Sequence, residues 1–154
     1  MELDMRFKKP ESEFEIDPRL LDDGIFLGDF DLSKLLLMNN ALVPWFVLVP
    51  KVEVTEFYQL NATQQASVTR EINALSEFLK EELDADKVNV ASIGNIVPQL
   101  HIHVIGRYHD DFAWPGVVWG HREKEVYQPA EFEALSKRLL DYLNNKINTQ
   151  QALT

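Results

Sequence analysis

The feature that most constrains the fold is a stretch in which polar and apolar side chains alternate, Gln99–Ile105. Successive side chains of a β-strand point to opposite faces, so the pattern predicts a strand with one apolar and one largely polar face. The apolar face comprises Leu100, Ile102 and Val104, and the other face carries Gln99, His101, His103 and finally Ile105. The glycine that follows, Gly106, is expected to end the strand. Such a strand has to lie in a sheet that covers its apolar side.

The periodicity of apolar residues predicts further elements along the chain. Asn61–Leu83 has the three- and four-residue spacing of an amphipathic helix, and Ala130–Ile147 has it again. Short apolar runs bounded by turn residues predict the strands Ile25–Phe30, Lys34–Met38, Trp45–Val49 and Val88–Ser92. Helices segregated from a run of antiparallel strands predict an α+β fold, with an antiparallel sheet packed against helices.

Each long helix is expected to bury one apolar stripe against the sheet. The first stripe comprises Ala66, Ile72, Leu75, Phe78, Leu79 and Leu83, and the second comprises Phe132, Leu135, Leu139, Leu143 and Ile147. Before the first strand, residues 1–17 are expected to form a polar arm, and Pro18–Asp23 one helical turn. The segment Asp110–Gly120 is rich in Trp, Pro and Gly and predicts an irregular aromatic loop.

Charge and composition exclude some functions. The chain has 154 residues with 15 Lys and Arg, 25 Asp and Glu, and a formal net charge of −10. Broad binding to the phosphates of DNA or RNA requires a basic face, so nucleic acid is not an expected partner. A small phosphorylated substrate is compatible, because a pocket can be locally basic. Since the chain has no cysteine, disulfides, thiolate nucleophiles and Cys-based zinc sites are excluded.

Nothing in the sequence predicts secretion or membrane insertion. The segment Met1–Pro10 lacks the apolar stretch of a secretory signal. The longest apolar run, Ala41–Pro50, is interrupted by Pro44 and is too short to span a bilayer. The cytoplasm is therefore the expected location, and no membrane partner is expected.

The row of polar side chains on the strand has three interpretations. Both histidines could be ordinary hydrogen-bonded groups on a solvated sheet face. They could be metal ligands, since His-x-His on a strand is a common ligand pair, with further ligands from His109, Asp110, Asp111 or His121. Alternatively, one histidine is a nucleophile, because a neutral imidazole can attack phosphorus and form a covalent intermediate that water hydrolyses. This third interpretation requires neighbouring donors that hold the negative oxygens of the transition state.

Two segments carry a resemblance to a known family. Residues 89–107, NVASIGNIVPQLHIHVIGR, resemble the histidine triad (HIT) family, whose motif is His-φ-His-φ-His-φ-φ with φ an apolar residue. Upstream, Trp45–Lys51 is similar to the family's His-φ-φ-φ-φ-Pro-Lys segment. The order of elements also matches, and the resemblance covers roughly Gly24–Arg107. It implies a single HIT-like domain over residues 1–154, with its core at about 24–107 and a C-terminal loop and helix.

The resemblance implies roles for individual positions. The middle triad histidine of the family is the nucleophile that takes the α-phosphate of a nucleotide, and that position is His101. The last triad histidine contacts the transferred phosphate, and that position is His103. Four positions are implied to bind substrate: Gln99 at the first triad position, Asn95 near the leaving group, Asn39 at the ribose-binding acidic residue, and Asn89 on the preceding strand.

Three positions depart from the family pattern. Gln99 stands where the first histidine is expected and offers a donor and an acceptor, but cannot carry a charge. Trp45 replaces the upstream histidine, and Ile96 replaces a hydroxyl residue that often follows the loop Gln. Because the nucleophile and the phosphate contact are kept, we expect an active enzyme with an altered substrate range or rate. The alternatives are a nucleotide-binding module without turnover and a metal-dependent hydrolase.

The activity implied is hydrolysis or nucleotidyl transfer at the α-phosphate of nucleoside polyphosphates, such as diadenosine tetraphosphate, or of nucleoside phosphoramidates. Purine nucleotides are the expected substrates and a homodimer is the expected assembly. No metal or other cofactor is required for the covalent step, although a divalent ion can accompany the substrate phosphates. Trp114 and Trp119 could stack on a base or pack at an interface. Arg107, Lys51 and Arg122 could offset the charge of substrate phosphates.

Overall fold

A computed structural model of the chain describes residues 14–152, so residues 1–13 of the predicted arm lie outside it, as does the side chain of Ile147. The elements are α1 Pro18–Asp23, β1 Gly24–Asp29, β2 Ser33–Met38, β3 Trp45–Pro50, a 3₁₀ turn Phe57–Gln59, α2 Ala62–Glu81, β4 Lys87–Ala91, β5 Ile102–Arg107 and α3 Pro129–Ala152. Each strand and helix predicted from the sequence is present within a few residues, and the α+β class is confirmed. None of the described helices is long and apolar enough to cross a membrane.

The five strands form one antiparallel sheet in the order β1-β2-β3-β5-β4. The strand β5 is interior, because it pairs with β3 on one side and with β4 on the other. His103 lies opposite Val47 of β3 and Ala91 of β4. Backbone groups on both edges of β5 are therefore paired, which makes the strand a rigid mount for its side chains.

The alternation of side chains divides the apolar residues between the two faces of the sheet. One face is covered by α2 and α3 and includes Leu100, Ile102 and Val104. The other face includes Trp45, Val47, Val49 and Ile105, and is covered by Phe14, Ile16, Leu20, Phe112, Val118 and Trp119. His101 and His103 lie on this second face and are only 6% and 7% exposed. The polar row is therefore enclosed rather than solvated.

Gly106 was expected to end the strand that carries the histidines, but this strand, β5, continues through Gly106 to Arg107. The glycine has a packing reason instead. A Cβ at this position would lie 2.8 Å from the Pro44 ring and 3.1 Å from Leu79 of α2. Only a residue without a side chain lets the helix and the Pro44 loop approach β5 so closely.

The buried face of α2 differs in part from the predicted stripe. The helix begins with a capping box, in which Asn61 and Gln64 each accept the backbone N–H of the other at 2.9 Å. Ala66 is exposed, whereas Glu71 is buried. The periodicity of apolar residues could not reveal Glu71, because a carboxyl group is ordinarily on the surface. Its Oε2 accepts the N–H of Leu32 at 3.0 Å and thereby ties the β1–β2 turn to the helix.

We expect Glu71→Gln to stabilise the fold at neutral pH. Burial raises the pKa of Glu71, and the hydrogen bond from the N–H of Leu32 offsets this only in part. Because the folded pKa lies above the ordinary value, stability is full at low pH and falls as the carboxyl group ionises. The amide keeps the acceptor for Leu32 without the charge. Urea denaturation should show a gain on the order of 1 kcal/mol at pH 8 and none at pH 4. Lower stability at both pH values would contradict this account.

Candidate active site

His101 directly precedes β5, and the backbone of the chain holds its ring. Its Nδ1 lies 2.7 Å from the carbonyl oxygen of Gln99. A carbonyl oxygen only accepts hydrogen bonds, so Nδ1 carries the proton, and Nε2 of the neutral ring carries the lone pair. His101 therefore presents an unprotonated nitrogen, which is the form in which imidazole acts as a nucleophile.

His103 lies on the same face and has the opposite tautomer. The indole Nε1–H of Trp45 donates to its Nδ1 at 2.9 Å. Because an indole nitrogen only donates, Nδ1 is the acceptor and the proton of the neutral ring is on Nε2. Burial lowers the pKa of His103 to about 4, and His101 acts in the same direction. At neutral pH His103 is thus an uncharged N–H donor.

The two imidazoles contact each other edge to face, and two tryptophans pack beside them. Their ring centroids are 5.1 Å apart and their planes meet at 71°. Trp119 packs edge-on against His103 with centroids 5.1 Å apart, and against Trp45 with centroids 5.6 Å apart. A lone pair on one ring and an N–H on its neighbour can attack an electrophile and hold an anionic oxygen attached to it.

A cleft of about 240 Å³ opens beside the two tryptophans. The residues that line it include Asn39, Trp45, Trp119, Arg122 and Lys124. The side-chain oxygen of Asn39 accepts the backbone N–H of Tyr127 at 2.9 Å. The amide nitrogen of Asn39, with two N–H donors, and one remaining lone pair on its oxygen are therefore available to a ligand. Trp45 and Trp119 line the cleft and also contact His103, so these two side chains lie between the cleft and the histidine pair.

Gln99, at the first triad position, binds the N-terminal segment. Its Oε1 accepts the N–H of Asp17 at 2.8 Å, and its Nε2 donates to the carbonyl oxygen of Glu15 at 2.9 Å. Arg19 adds a second tether by donating to the carbonyl oxygen of Ile96 at 3.1 Å. These bonds hold the segment that leads into α1 over the histidine face. In this arrangement Gln99 is an anchor, and a contact between it and a substrate stays a prediction.

Asn95 and Asn89, the other predicted substrate-binding residues, occupy different surroundings. Asn95 is exposed in the loop between β4 and β5, after Gly94 with its φ of +66°. Asn89 lies on β4 opposite Ile105, and its Oδ1 accepts a hydrogen bond from Arg107 at 2.9 Å. Among the described residues, neither asparagine is hydrogen-bonded to a histidine of the pair. Their roles toward substrate stay predictions.

Arg107, which the sequence suggested as a phosphate contact, is a buried structural group. It is 1% exposed, and its guanidinium donates to both carboxylate oxygens of Asp111 at 2.8 and 3.0 Å. It also donates to Asn89 at 2.9 Å and to the carbonyl oxygen of Gly116 at 2.7 Å, and lies 5.6 Å from the Trp114 ring. The loop after β5 is thus organised around this side chain. A structural role therefore replaces the expected phosphate contact.

The roles of two residues, Trp45 and Asp111, were missed by the sequence analysis, which named Asp111 only as a possible metal ligand. Trp45 was noted as a departure from the family and not as a hydrogen-bond partner of His103. The available signal was that an indole, like the histidine it replaces, carries a ring N–H. Asp111 stands four residues after Arg107, which is a common spacing for ion pairs, but spacing alone does not reveal that the pair is buried.

The candidate metal ligands are dispersed. Asp111 is held by the buried arginine described above. His109 is exposed and lies 3.6 Å from Asp86, while His121 is hydrogen-bonded to the carbonyl oxygen of Val117 at 3.0 Å. Within residues 14–152, no group of three or more His, Asp or Glu side chains is placed to hold a metal ion. The interpretation of the histidine row as metal ligands gains no support from this geometry.

A histidine pair on an interior strand of a five-stranded antiparallel sheet has a match among known families. The HIT domain matches residues 22–110, which is more than half of the chain. The chain belongs to the histidine triad family. The matched part of this HIT protein contains all five strands, α2 and both histidines. No curated protein matches the chain.

Solved structures of HIT proteins are similar to this one. A histidine triad protein from Bradyrhizobium japonicum is 38% identical, with a TM-score of 0.82, and the match covers 84% of this chain and 98% of that chain. A second, from Marinobacter aquaeolei VT8, is 41% identical with a TM-score of 0.81, over 86% and 97% of the two chains. A diadenosine triphosphate hydrolase from Plasmodium falciparum shares the fold at 17% identity and a TM-score of 0.62, over 94% and 92%.

Proposed function

We propose that this HIT protein hydrolyses or transfers nucleotides at the α-phosphate through a covalent intermediate on His101. The observation that carries the proposal is the pair of hydrogen bonds at the two Nδ1 atoms, from which a lone pair on Nε2 of His101 and a proton on Nε2 of His103 follow. Family membership and the fold shared with a diadenosine triphosphate hydrolase support the same class of reaction. The proposed substrates are dinucleoside polyphosphates such as diadenosine tetraphosphate, and purine nucleoside phosphoramidates.

The first step forms a phosphorus–nitrogen bond. The Nε2 lone pair of His101 attacks the α-phosphorus, and the bond from phosphorus to the leaving oxygen or nitrogen breaks. The electron pair of that bond goes to the leaving group, which solvent protonates. As His101 becomes positively charged, its Nδ1–H bond to the carbonyl oxygen of Gln99 becomes charge-assisted and stronger. The same bond that sets the tautomer therefore also stabilises the intermediate.

His103 holds the transferred phosphate in both steps. Its Nε2–H donates to a non-bridging oxygen, and the donor is effective because the tryptophans exclude competing water. In the second step water attacks phosphorus, the phosphorus–nitrogen bond breaks, and its electrons return to Nε2 of His101. The proton of the water passes to solvent and the nucleoside monophosphate leaves. Another acceptor in place of water would give transfer instead of hydrolysis.

The proposal also concerns the cofactor requirement, the assembly and the location of the protein. The scheme needs no resident metal or other cofactor, and a divalent ion carried by the substrate would offset its phosphates in a chain of net charge −10. The homodimer, the cytoplasmic location and the extent of a single domain over residues 1–154 stay predictions from the sequence.

A chemical trap of the intermediate tests the proposed function. The protein is mixed with diadenosine tetraphosphate or adenosine phosphoramidate labelled at the α-phosphorus, and the reaction is stopped in base, where phosphorus–nitrogen bonds to histidine survive. We expect label on the peptide that contains His101 and, in ¹⁸O-water, ¹⁸O in the released monophosphate. Release of monophosphate without labelled protein would contradict the covalent route. Nucleotide binding in calorimetry without release would identify a binding module.

Asparagine at the ribose-binding position predicts weak discrimination between ribose and deoxyribose. The oxygen of Asn39 already accepts from Tyr127, so the side chain offers a ligand mainly its uncharged amide donors, whereas a carboxylate would offer ribose hydroxyls a second, charged acceptor oxygen. We expect kcat/KM for diadenosine tetraphosphate and its 2′-deoxy analogue to agree within about threefold. Asn39→Asp keeps the acceptor for Tyr127 and adds a second one. It should raise the preference for ribose about tenfold, which corresponds to about 1.4 kcal/mol.

Asn40→Asp is the matched control for this prediction. Asn40 also lines the cleft, and its side-chain oxygen accepts the N–H groups of Leu42 and Glu125. The substitution adds the same negative charge one residue away. Equal changes in both variants would mean that charge alone sets the preference. No change in Asn39→Asp would show that position 39 does not contact the sugar.

A further inference from the structure

Trp45 opens β3 at the position where the family pattern has a histidine, and its indole reaches across to β5. Its cross-strand partner is Ile105, so His103 is its diagonal neighbour on the same face. The indole N–H donates to Nδ1 of His103 at 2.9 Å, and each of the two residues is 7% exposed. Trp119 packs edge-on against both rings. The hydrogen bond is therefore shielded from water that would compete for Nδ1.

An indole differs from an imidazole because it can only donate. A histidine at position 45 could donate, accept or take up a proton, and its partner could then adopt either tautomer. With Trp45, a proton on Nδ1 of His103 would face another N–H. Protonation of His103 would therefore break the bond and leave a buried indole N–H without an acceptor.

We propose that Trp45 is a positioning residue that locks His103 as a neutral Nε2–H donor. The phosphate contact of His103 then stays the same over the pH range in which an ordinary histidine gains or loses a proton. The phosphate contact rests on the proposed function, whereas the lock is a property of the protein without substrate. Among residues 14–152, the titratable group in contact with His103 is His101, and the N-terminal segment held over the same face carries Asp17, whose carboxylate interacts with His101. The other neighbouring elements present side chains that do not titrate, namely Val47 of β3, Ala91 of β4 and Trp119. Burial and His101 lower the pKa of His103 to about 4, which agrees with this arrangement.

The tautomer and titration of His103 in ¹⁵N-labelled protein test the lock without substrate. Long-range ¹H–¹⁵N spectra distinguish a protonated ring nitrogen from a bare one. In the native protein we expect a bare Nδ1 and a protonated Nε2 from about pH 5.5 to pH 8. Trp45→Phe keeps an aromatic ring without the N–H, and it should give mixed tautomers and a midpoint about one pH unit higher. An unchanged tautomer and midpoint would overturn the proposal.

Trp119→Phe is the matched control, because Trp119 packs on the same imidazole and, among the described residues, makes no hydrogen bond to it. It should leave the tautomer of His103 native. Equal shifts in both variants would show that aromatic packing sets the tautomer, which also overturns the proposal. Should Trp45→Phe fail to fold, Trp45→His supplies the test, since its ring accepts as well as donates. A pH-independent Nε2–H tautomer in that variant would refute the role of the indole.

Turnover separates this proposal from the proposed function. We expect the acid limb of the kcat profile to move upward by about one pH unit in Trp45→Phe and to stay in place in Trp119→Phe. The KM should change less than kcat, because Trp45 acts through His103. If the NMR spectra show the lock and the native protein turns over no nucleotide, the proposed function fails and the lock stands. If nucleotide is turned over and His103 has mixed tautomers in the native protein, the lock fails alone.

Discussion

Replacing His101 with alanine is expected to lower kcat for release of nucleoside monophosphate by roughly 10⁴-fold or more and to abolish the labelled adduct. The substitution removes the atom that forms the bond to phosphorus in the proposed mechanism. His103 cannot take its place, because Trp45 occupies Nδ1 and the proton occupies Nε2. Water would have to attack the substrate directly. Nucleotide affinity should change little, since the cleft is not altered, and calorimetry beside single-turnover kinetics measures both quantities.

His109→Ala is the matched control for His101→Ala. His109 is an exposed histidine that contacts Asp86 and Trp114, away from the pair. Its removal should leave turnover native, and His103→Ala should lower kcat by about 10²–10³-fold, as expected for one lost donor. Equal losses in His101→Ala and His109→Ala would indicate damage to the fold. Native turnover in His101→Ala would show that this residue is not the nucleophile.

Arg107→Met is expected to destabilise the fold by about 3–5 kcal/mol, because it leaves a buried carboxylate without its cation. The side chains of Arg107 and Asp111 are each only 2% exposed. The substitution also removes the donors to Asn89 and to the carbonyl oxygen of Gly116. The loss is a large share of the roughly 5–15 kcal/mol by which domains are stable. Urea denaturation followed by circular dichroism measures it.

Lys137→Met is the matched control for Arg107→Met. Lys137 and Asp141 form an ion pair with the same spacing of four residues, but their side chains are 79% and 60% exposed. Removing an exposed pair of this kind should cost at most about 0.5 kcal/mol. A loss in Arg107→Met no larger than this would contradict the account. Adding Asp111→Asn to Arg107→Met should recover part of the loss, because no unpaired charge then remains.

The buried pair of Arg107 and Asp111 also predicts how the stability of the fold responds to acid. Burial acts to raise the pKa of Asp111, but hydrogen bonds from Arg107 and from the N–H groups of Tyr108 and Ala113 outweigh it and lower the pKa to about 2. Because the folded pKa lies below the ordinary value, the stabilisation is complete above about pH 5 and is lost as the pH falls through 4 toward 2. The stability of Arg107→Met should therefore depend less on pH in this range.

Patterns local to the chain were sufficient to predict the elements of the fold. The alternation around His101 and His103 and the helical period of α2 and α3 depend only on neighbours in sequence. These features placed the strands and helices within a few residues and put the two histidines on one face. They failed at Glu71, Gly106 and the role of Arg107, where a buried polar group or a close backbone approach depends on distant partners.

Contacts between distant residues were decided by the tertiary structure alone. Trp45 and His103 are 58 residues apart, and Gln99 and Asp17 are 82 residues apart. From the residue type alone, an amide or a charged group is expected to contact solvent or substrate. The residue type does not show which distant partners the folded sheet brings near it. The sequence by itself therefore determined which side chains share the histidine face of β5. The tertiary structure decided which nitrogen of each histidine carries the proton, since that depends on the hydrogen-bond partner that packing supplies.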